Sequence, residues 1–240
     1  MRILAFDTAT RATAVALAGT GERVLEARDD PPPGERPRHA SRLLPLTAEL
    51  LERAGIGFED IDRLAVGVGP GTFTGLRIGV ATARALAQAG RIPLVGVSTL
   101  HSLALNAVGS PAAARLDSVV AALDARRREV FAAAWRLPDL DARATSLTAP
   151  RAFAPEALAD VIRELGGNTL AIGEGAVEFR LILEGSGAIV PADDSELHRV
   201  SGAGHCRIAR HLRPAGPDQV HPEYLRLPDA EIARRAEGKK

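Results

Sequence analysis

Apolar and polar positions along the first hundred residues fall into short runs whose spacing predicts strands and helices in a definite order. Arg2 to Asp7 reads as a strand, Thr8-Ala9-Thr10-Arg11 as a turn and Ala12 to Ala18 as a second strand. Gly19-Thr20-Gly21 is a turn chemically suited to positive φ, and Glu22 to Arg28 is a third strand with one polar face. Asp29 to Pro37 holds four prolines and is a loop. From His39 to Ala54, Leu43, Leu46, Leu50 and Ala54 recur at three- and four-residue steps, as on one face of a helix; Leu44 and Leu51 add a second apolar stripe, and Gly55 and Gly57 end it. Leu64 to Val68 reads as a buried strand, Leu76 to Ala89 as an Ala-rich helix closed by Gly90, and Pro93 to Val97 as another buried strand. Ser98 is placed to N-cap a helix that follows. The order is β-β-β-α-β-α-β.

The second half repeats it. Ser118 to Leu123 and Glu129 to Leu137 are strands joined by the turn Asp124 to Arg128, and Arg143 to Leu147 is the expected third strand. Pro155 to Leu165 and Gly175 to Leu183 are helical, Thr169 to Ile172 and Gly187 to Val190 extended. Ser195 to Leu212 is expected to be one helix, Arg213 to Pro222 a Pro-rich return to the first unit, and Asp229 to Ala236 a last helix capped by Asp229. Three strands followed by alternating helix and strand make a mixed sheet with helices on its faces. Two such units give an α/β chain with the duplicated actin-like (ASKHA, ribonuclease H-like) fold, by analogy of element order. The expected subdomains are residues 1–102 plus 213–240, which carry the helices for a partner, and residues 103–212.

Composition narrows the function classes. At 240 residues, 46% hydrophobic and 25% charged, the chain is long enough for one large or two small cores. Thirty basic residues cancel thirty acidic ones, which excludes a nucleic-acid binder working by overall charge alone. Aromatics are 3%, leaving few platforms for stacking bases. The lone Cys206 excludes an internal disulfide and any multi-cysteine zinc site. An acid at position 7 comes too early for a signal peptide, and no apolar run approaches the ~18 residues of a membrane span. A soluble cytoplasmic protein with no membrane contact is expected.

Three stretches carry candidate chemistry. Asp7-Thr8-Ala9-Thr10 sits at a strand end where the actin-like fold holds phosphate, so Asp7, Thr8 and Thr10, with Asp124 at the equivalent second turn, are candidate nucleotide contacts. Such turns need glycine for close approach, whereas Ala9 and Ala125 stand here; a turn in which Asp and Thr bond their own backbone is the competing reading. Gly69-Pro70-Gly71-Thr72-Phe73-Thr74-Gly75 joins a strand to a helix that Thr72 or Thr74 can cap. Amides at that end attract anions, so Gly69, Gly71, Thr72 and Thr74 are candidate ligand contacts and, equally, parts of a structural turn. The stretch fits neither the Walker nor the dinucleotide pattern. Arg126-Arg127-Arg128 is a solvated hairpin tip or a phosphate contact. The six histidines include no HExxH, no Gly-x-Ser-x-Gly elbow is present, and nothing local brings His101 to Cys206. No catalytic residue and no metal ligand is assigned.

With Ile3 to Thr10, Arg38 to Pro45, Gly69 to Gly79, Leu123 to Arg126, Glu129 to Phe131 and Pro222 to Arg226, the sequence resembles the TsaB (YeaZ) family of tRNA threonylcarbamoyladenosine biosynthesis. The resemblance implies a non-catalytic scaffold that binds a TsaD-like catalytic paralogue and a TsaE-like ATPase, meets tRNA mainly through that complex and forms a homodimer when alone. ATP/ADP or metal then belongs to the partner subunits or the subunit interface, with no cofactor in this chain. The paralogue's metal-binding histidine pair falls on Thr99 and Leu103, with His101 between them. Leu43, Leu46, Leu50, Ile78, Thr82 and Ala85 are the expected partner contacts. An actin-like ATPase or small-molecule kinase, and a peptidase, remain as alternatives.

Overall fold

The computed structural model describes residues 1–226 apart from Glu22, Pro33 and Gly167. The expected helix at 229–236, the rest of the tail and the first residue of the expected third strand lie outside the described residues.

The first half runs β1 (Ile3–Asp7), β2 (Thr13–Ala18), β3 (Leu25–Asp29), α1 (His39–Ala54), β4 (Arg63–Gly69), α2 (Phe73–Gly90), β5 (Leu94–Ser98) and α3 (Thr99–Ala104). The second runs β6 (Ser118–Arg126), β7 (Glu129–Arg136), β8 (Arg151–Phe153), α4 (Pro155–Glu164), β9 (Thr169–Ile172), α5 (Glu174–Glu178), α6 (Arg180–Glu184), β10 (Ala188–Ile189) and α7 (Gly202–Ala209). The five-stranded sheets have spatial orders β3-β2-β1-β4-β5 and β8-β7-β6-β9-β10, one topology used twice. In each, the opening strand pairs antiparallel with the second and parallel with the fourth.

Period-two alternation assigns the faces of the first sheet. Leu4, Phe6, Val15 and Leu17 point outward into a core closed by Leu43, Leu46 and Leu50 of α1 and Val80, Ala83 and Ala87 of α2. Ile3, Ala5, Ala16 and Ala18 point inward, toward a core shared by both halves. That inner core is filled by α3 and α7, which lie between the sheets. Small residues admit α7 closely: an alanine β-carbon at Gly202 would stand 2.6 Å from that of Ala16. Chain order assigns α7 to residues 103–212, yet it packs on β1 and β2 of the first sheet, while α3 packs on β6 of the second. The two helices cross over and tie the halves together.

Four sequence expectations are corrected. The third strand of the second half is Arg151–Phe153, not Arg143–Leu147. Leu147 does donate its amide to the Ala134 carbonyl at 2.7 Å, but Pro150 lacks a donor and regular pairing begins only after it. The helix expected over 195–212 is a 3-10 turn at Glu196–His198 and then α7, whose N-cap Ser201 accepts the Ala203 amide. The helix expected over 175–183 breaks at Phe179 into α5 and α6. Leu43, Leu46 and Leu50 were expected at a partner interface; they are buried in the core against the first sheet and offer nothing to a partner. The hydrophobic stripe pointed at this chain's own sheet.

The tail returns to the first half. Ala215 donates to Leu94, Glu223 donates to the Val68 carbonyl at 2.7 Å, and Arg84 of α2 donates to the Pro217 and Asp218 carbonyls. Arg226 then reaches the second half, pairing with Glu129 at 2.6 Å and donating to the Ala125 carbonyl.

Candidate functional site

Asp7 ends β1 on the inner side of the turn to β2, and every oxygen of its carboxylate is occupied by protein. Oδ1 accepts the Ala9 amide at 2.7 Å and Oδ2 accepts the Thr99 hydroxyl of α3 at 2.7 Å. His205 Nε2 of α7 stands 3.0 Å from Oδ2, without the alignment of a hydrogen bond. The other imidazole nitrogen, Nδ1, lies 2.8 Å from the Ser102 hydroxyl and 3.0 Å from the Ser201 carbonyl. Asp7, Thr99, Ser102 and His205 are all buried. Burial opposes ionisation of Asp7, but His205, the Ala9 amide and the Thr99 hydroxyl outweigh it and hold the carboxyl below its ordinary value of 3.8.

The glycine-rich stretch serves this turn. Alanine β-carbons at Gly67, Gly71, Gly75 and Gly79 would stand 1.8 Å from Asp7 Oδ2, 2.4 Å from the Ala9 carbonyl, 2.0 Å from the Thr8 carbonyl and 2.3 Å from Thr8 Oγ1. The four form a ladder running out of β4 and up α2, and residues 7–9 lie along it. Thr8 donates its hydroxyl to the Gly75 carbonyl at 2.7 Å, and the Thr72 amide donates to the Ala9 carbonyl at 2.7 Å. Thr72 is the N-cap of α2 by backbone geometry, with no side-chain bond, and Thr74 is exposed on its first turn. Gly69, at φ +117°, packs under the Glu223 carbonyl. Of the candidate ligand contacts, Asp7, Thr8, Gly71 and Thr72 therefore converge, but on one another.

Thr10 lies apart from them, lining a cleft of about 460 Å³ between the halves with Arg11, Arg28, Leu123 and Glu174. Asp124 is at the opposite hairpin, where it accepts the Arg126 amide at 2.6 Å and pairs with that residue's guanidinium at 2.9 Å. Burial, reinforced by the Asp124 charge, pushes the Glu174 carboxyl up to about 7. The tip residues Arg126, Arg127 and Arg128 all have positive φ.

The positions where the resemblance places a metal do not fit one: Thr99 gives its hydroxyl to Asp7, and Leu103 is buried in the shared core. Ser102, His205 and Asp7 stand in the order of a nucleophile, base and acid. However, Ser102 is buried and donates to the Ser201 carbonyl at 3.0 Å, so no substrate bond meets its oxygen. His101 stacks on Trp135 with centroids 5.5 Å apart. Cys206 lies elsewhere, under β1 and β2, and burial pushes its thiol up to about 12. Sequence reasoning singled out Thr99 only as a lost metal position, not as a partner of Asp7, and missed Ser102, His205, Gly67 and Glu174. Only the four-residue step of Gly67, Gly71, Gly75 and Gly79 could have signalled close packing in advance.

The α1 and α2 faces turned from the sheet are exposed. Leu44, Pro45 and Ala48 are exposed on α1; on α2, Ala81 and Ala85 are exposed, Ile78 and Thr82 half-buried. No helix among the described residues is long and apolar enough to cross a membrane.

Residues 32–169 match the family model for TsaD, tRNA N6-adenosine threonylcarbamoyltransferase. Over 233 residues the chain is 33% identical to the tRNA threonylcarbamoyladenosine biosynthesis protein TsaB of Escherichia coli (strain K12), covering 94% of this chain and 95% of that one. It is 38% identical over 135 residues to the protein of the same name from Haemophilus influenzae, 55% of this chain and 52% of that one. Among solved structures, YeaZ from Pseudomonas aeruginosa aligns with a TM-score of 0.76 at 28% identity, over 93% of this chain and 99% of that one. The ethanolamine utilization protein EutJ from Carboxydothermus hydrogenoformans, at 15% identity and a TM-score of 0.50 over 87% and 90% of the chains, shares the fold alone. The duplicated sheets are thus the actin-like fold, and with this likeness along nearly its whole length the chain belongs to the TsaB (YeaZ) family.

Proposed function

We propose that the chain is a non-catalytic scaffold subunit in the formation of threonylcarbamoyladenosine on tRNA. The observation that carries this reading is the closed state of Asp7. In an ATPase or kinase of this fold the acid at that strand end must face solvent and ligand, whereas here it is buried, bonded by the Ala9 amide and the Thr99 hydroxyl and covered by His205. The relatives' names supply the pathway, and the TsaD family match supports a paralogous catalytic subunit as partner.

The partner surface is then the outward face of α1 and α2. Leu44, Ile78, Thr82 and Ala85 are its contacts, in place of the core residues Leu43, Leu46 and Leu50. Two paired helices with short side chains present a shallow apolar surface, which equivalent helices of a paralogue, or of a second copy, can match ridge into groove. A TsaE-like ATPase completes the set, and ATP/ADP and metal stay with the partners or at the subunit interface.

Reconstitution tests the reading. Modification of a tRNA transcript by the catalytic paralogue and the ATPase, supplied with threonylcarbamoyl-adenylate, should require this chain, and the chain alone should turn over neither ATP nor peptide. Equal modification without it would refute the scaffold role. Magnesium-dependent ATP hydrolysis by the purified chain, abolished by Asp7→Ala, would establish the kinase-like alternative instead.

A further inference from the structure

The zero net charge hides an uneven distribution. From Leu197 to Pro217 the chain carries no acid, but it carries Arg199, Arg207, Arg210 and Arg213, with His211 among them. Arg199 is spoken for by Glu196 at 2.7 Å. The others are exposed at and just beyond the C-terminal end of α7. Arg207, on the last turn of α7, is three residues from the C-cap Arg210 and four from His211, so it neighbours both at that end of the helix. The loop before β8 adds a further cation there, since Arg143 donates to His211 Nδ1 at 3.1 Å.

Several arginines elsewhere are paired with acids. Asp29 holds Arg38 and Arg42, Asp30 holds Arg28, Asp193 holds Arg180 and Glu129 holds Arg226. Arg143, Arg207, Arg210 and Arg213 form no ion pair among the described residues. Asp141, two residues before Arg143, accepts that residue's backbone amide at 2.7 Å. Capping the helix does not account for the cluster either. Cations are favoured at a helix C-terminus, but Arg63, reaching over from β4, already donates to the Ala209 and Leu212 carbonyls.

We propose that Arg143, Arg207, Arg210 and Arg213 form a phosphate-binding face for an RNA backbone. A protein partner is recognised chiefly through a buried apolar or aromatic anchor. Here the apolar residues of the segment turn inward, Ile208 buried and Leu212 packed against the shared core. Guanidinium groups grip phosphate oxygens two at a time, and the absence of aromatics among them implies contact with backbone rather than bases. The inference rests on the reading of the chain as part of a tRNA-modifying assembly, and it gives the scaffold an RNA contact of its own.

Binding of the full chain to a tRNA transcript, followed by fluorescence polarisation between 50 and 200 mM salt, tests it. The wild type should bind with a steep salt dependence. Arg207→Ala/Arg210→Ala/Arg213→Ala should bind at least tenfold more weakly at the low-salt end, and its log–log slope should be shallower by about 2 to 3. Arg23→Ala/Arg36→Ala/Arg151→Ala changes net charge equally at exposed sites elsewhere and should bind like the wild type. Equal melting temperatures for both variants should show that each is folded. No binding by the wild type, equal losses in both variants, or poly-glutamate held as tightly as the transcript by the same arginines would each overturn the proposal. The scaffold reading is scored separately, by modification in the reconstituted system, so either can fail alone.

Discussion

His205 Nε2 lies 3.0 Å from Asp7 Oδ2 with both side chains sealed from solvent, so α7 sets an imidazole against the acid that ends the first strand. Because the folded state holds Asp7 below its ordinary 3.8, the pair contributes stability above that pH and loses it as the pH falls through the folded value. Urea midpoints measured from pH 7 down to pH 2.5 should fall steeply below about pH 4 in the wild type and more gently in Asp7→Asn. Asp7→Ala at neutral pH should cost about 1–3 kcal/mol by leaving the buried Ala9 amide and Thr99 hydroxyl without their acceptor. Identical pH profiles for wild type and Asp7→Asn would show that the pair contributes nothing.

Gly75→Ala replaces glycine inside a helix, which by propensity alone stabilises by about 1 kcal/mol. Its new methyl group would stand 2.0 Å from the Thr8 carbonyl, an atom of the backbone that cannot swing aside. The substitution should therefore lower stability by about 1–3 kcal/mol or more. Gly21→Ala meets nothing within 4 Å and should leave the melting temperature unchanged. A tolerated Gly75→Ala would remove the close-packing role of the ladder.

Glu174 titrates in the opposite sense to Asp7. Its carboxyl is pushed up to about 7, so between its ordinary 4.5 and that value the folded state binds more protons than the unfolded one. Stability from this group accordingly declines as pH rises across that window. Calorimetric melts from pH 4.5 to 8 should decline more for the wild type than for Glu174→Gln. Parallel curves would mean that the cleft does not desolvate the side chain.

Much of this architecture was legible because local patterns coincided with the fold. The order β-β-β-α-β-α-β follows from alternating apolar residues and from glycines at the turns, and its repetition after Ser118 implies two like sheets. The failures came where tertiary contacts decide. Leu43, Leu46 and Leu50 showed an apolar stripe, but a stripe does not say whether it meets this chain's own sheet or another protein. Residues 195–212 looked helical throughout, whereas Gly202 and Gly204 are dictated by the approach of α7 to Ala16 and Ser102. The site was least legible. Asp7, Thr99, Ser102 and His205 are brought together only by the crossing of α3 and α7 between the sheets, and no local spacing encodes that meeting.

The scaffold role is tested most directly by the affinity of the purified chain for its catalytic paralogue, measured by calorimetric titration. Leu44→Asp/Ala85→Asp alters two exposed positions on α1 and α2 and should abolish binding while melting at the wild-type temperature. Leu46→Asp, which buries a charge in the core, should instead fail to fold. An intact complex with the folded Leu44→Asp/Ala85→Asp variant would contradict the assignment of this face to the partner.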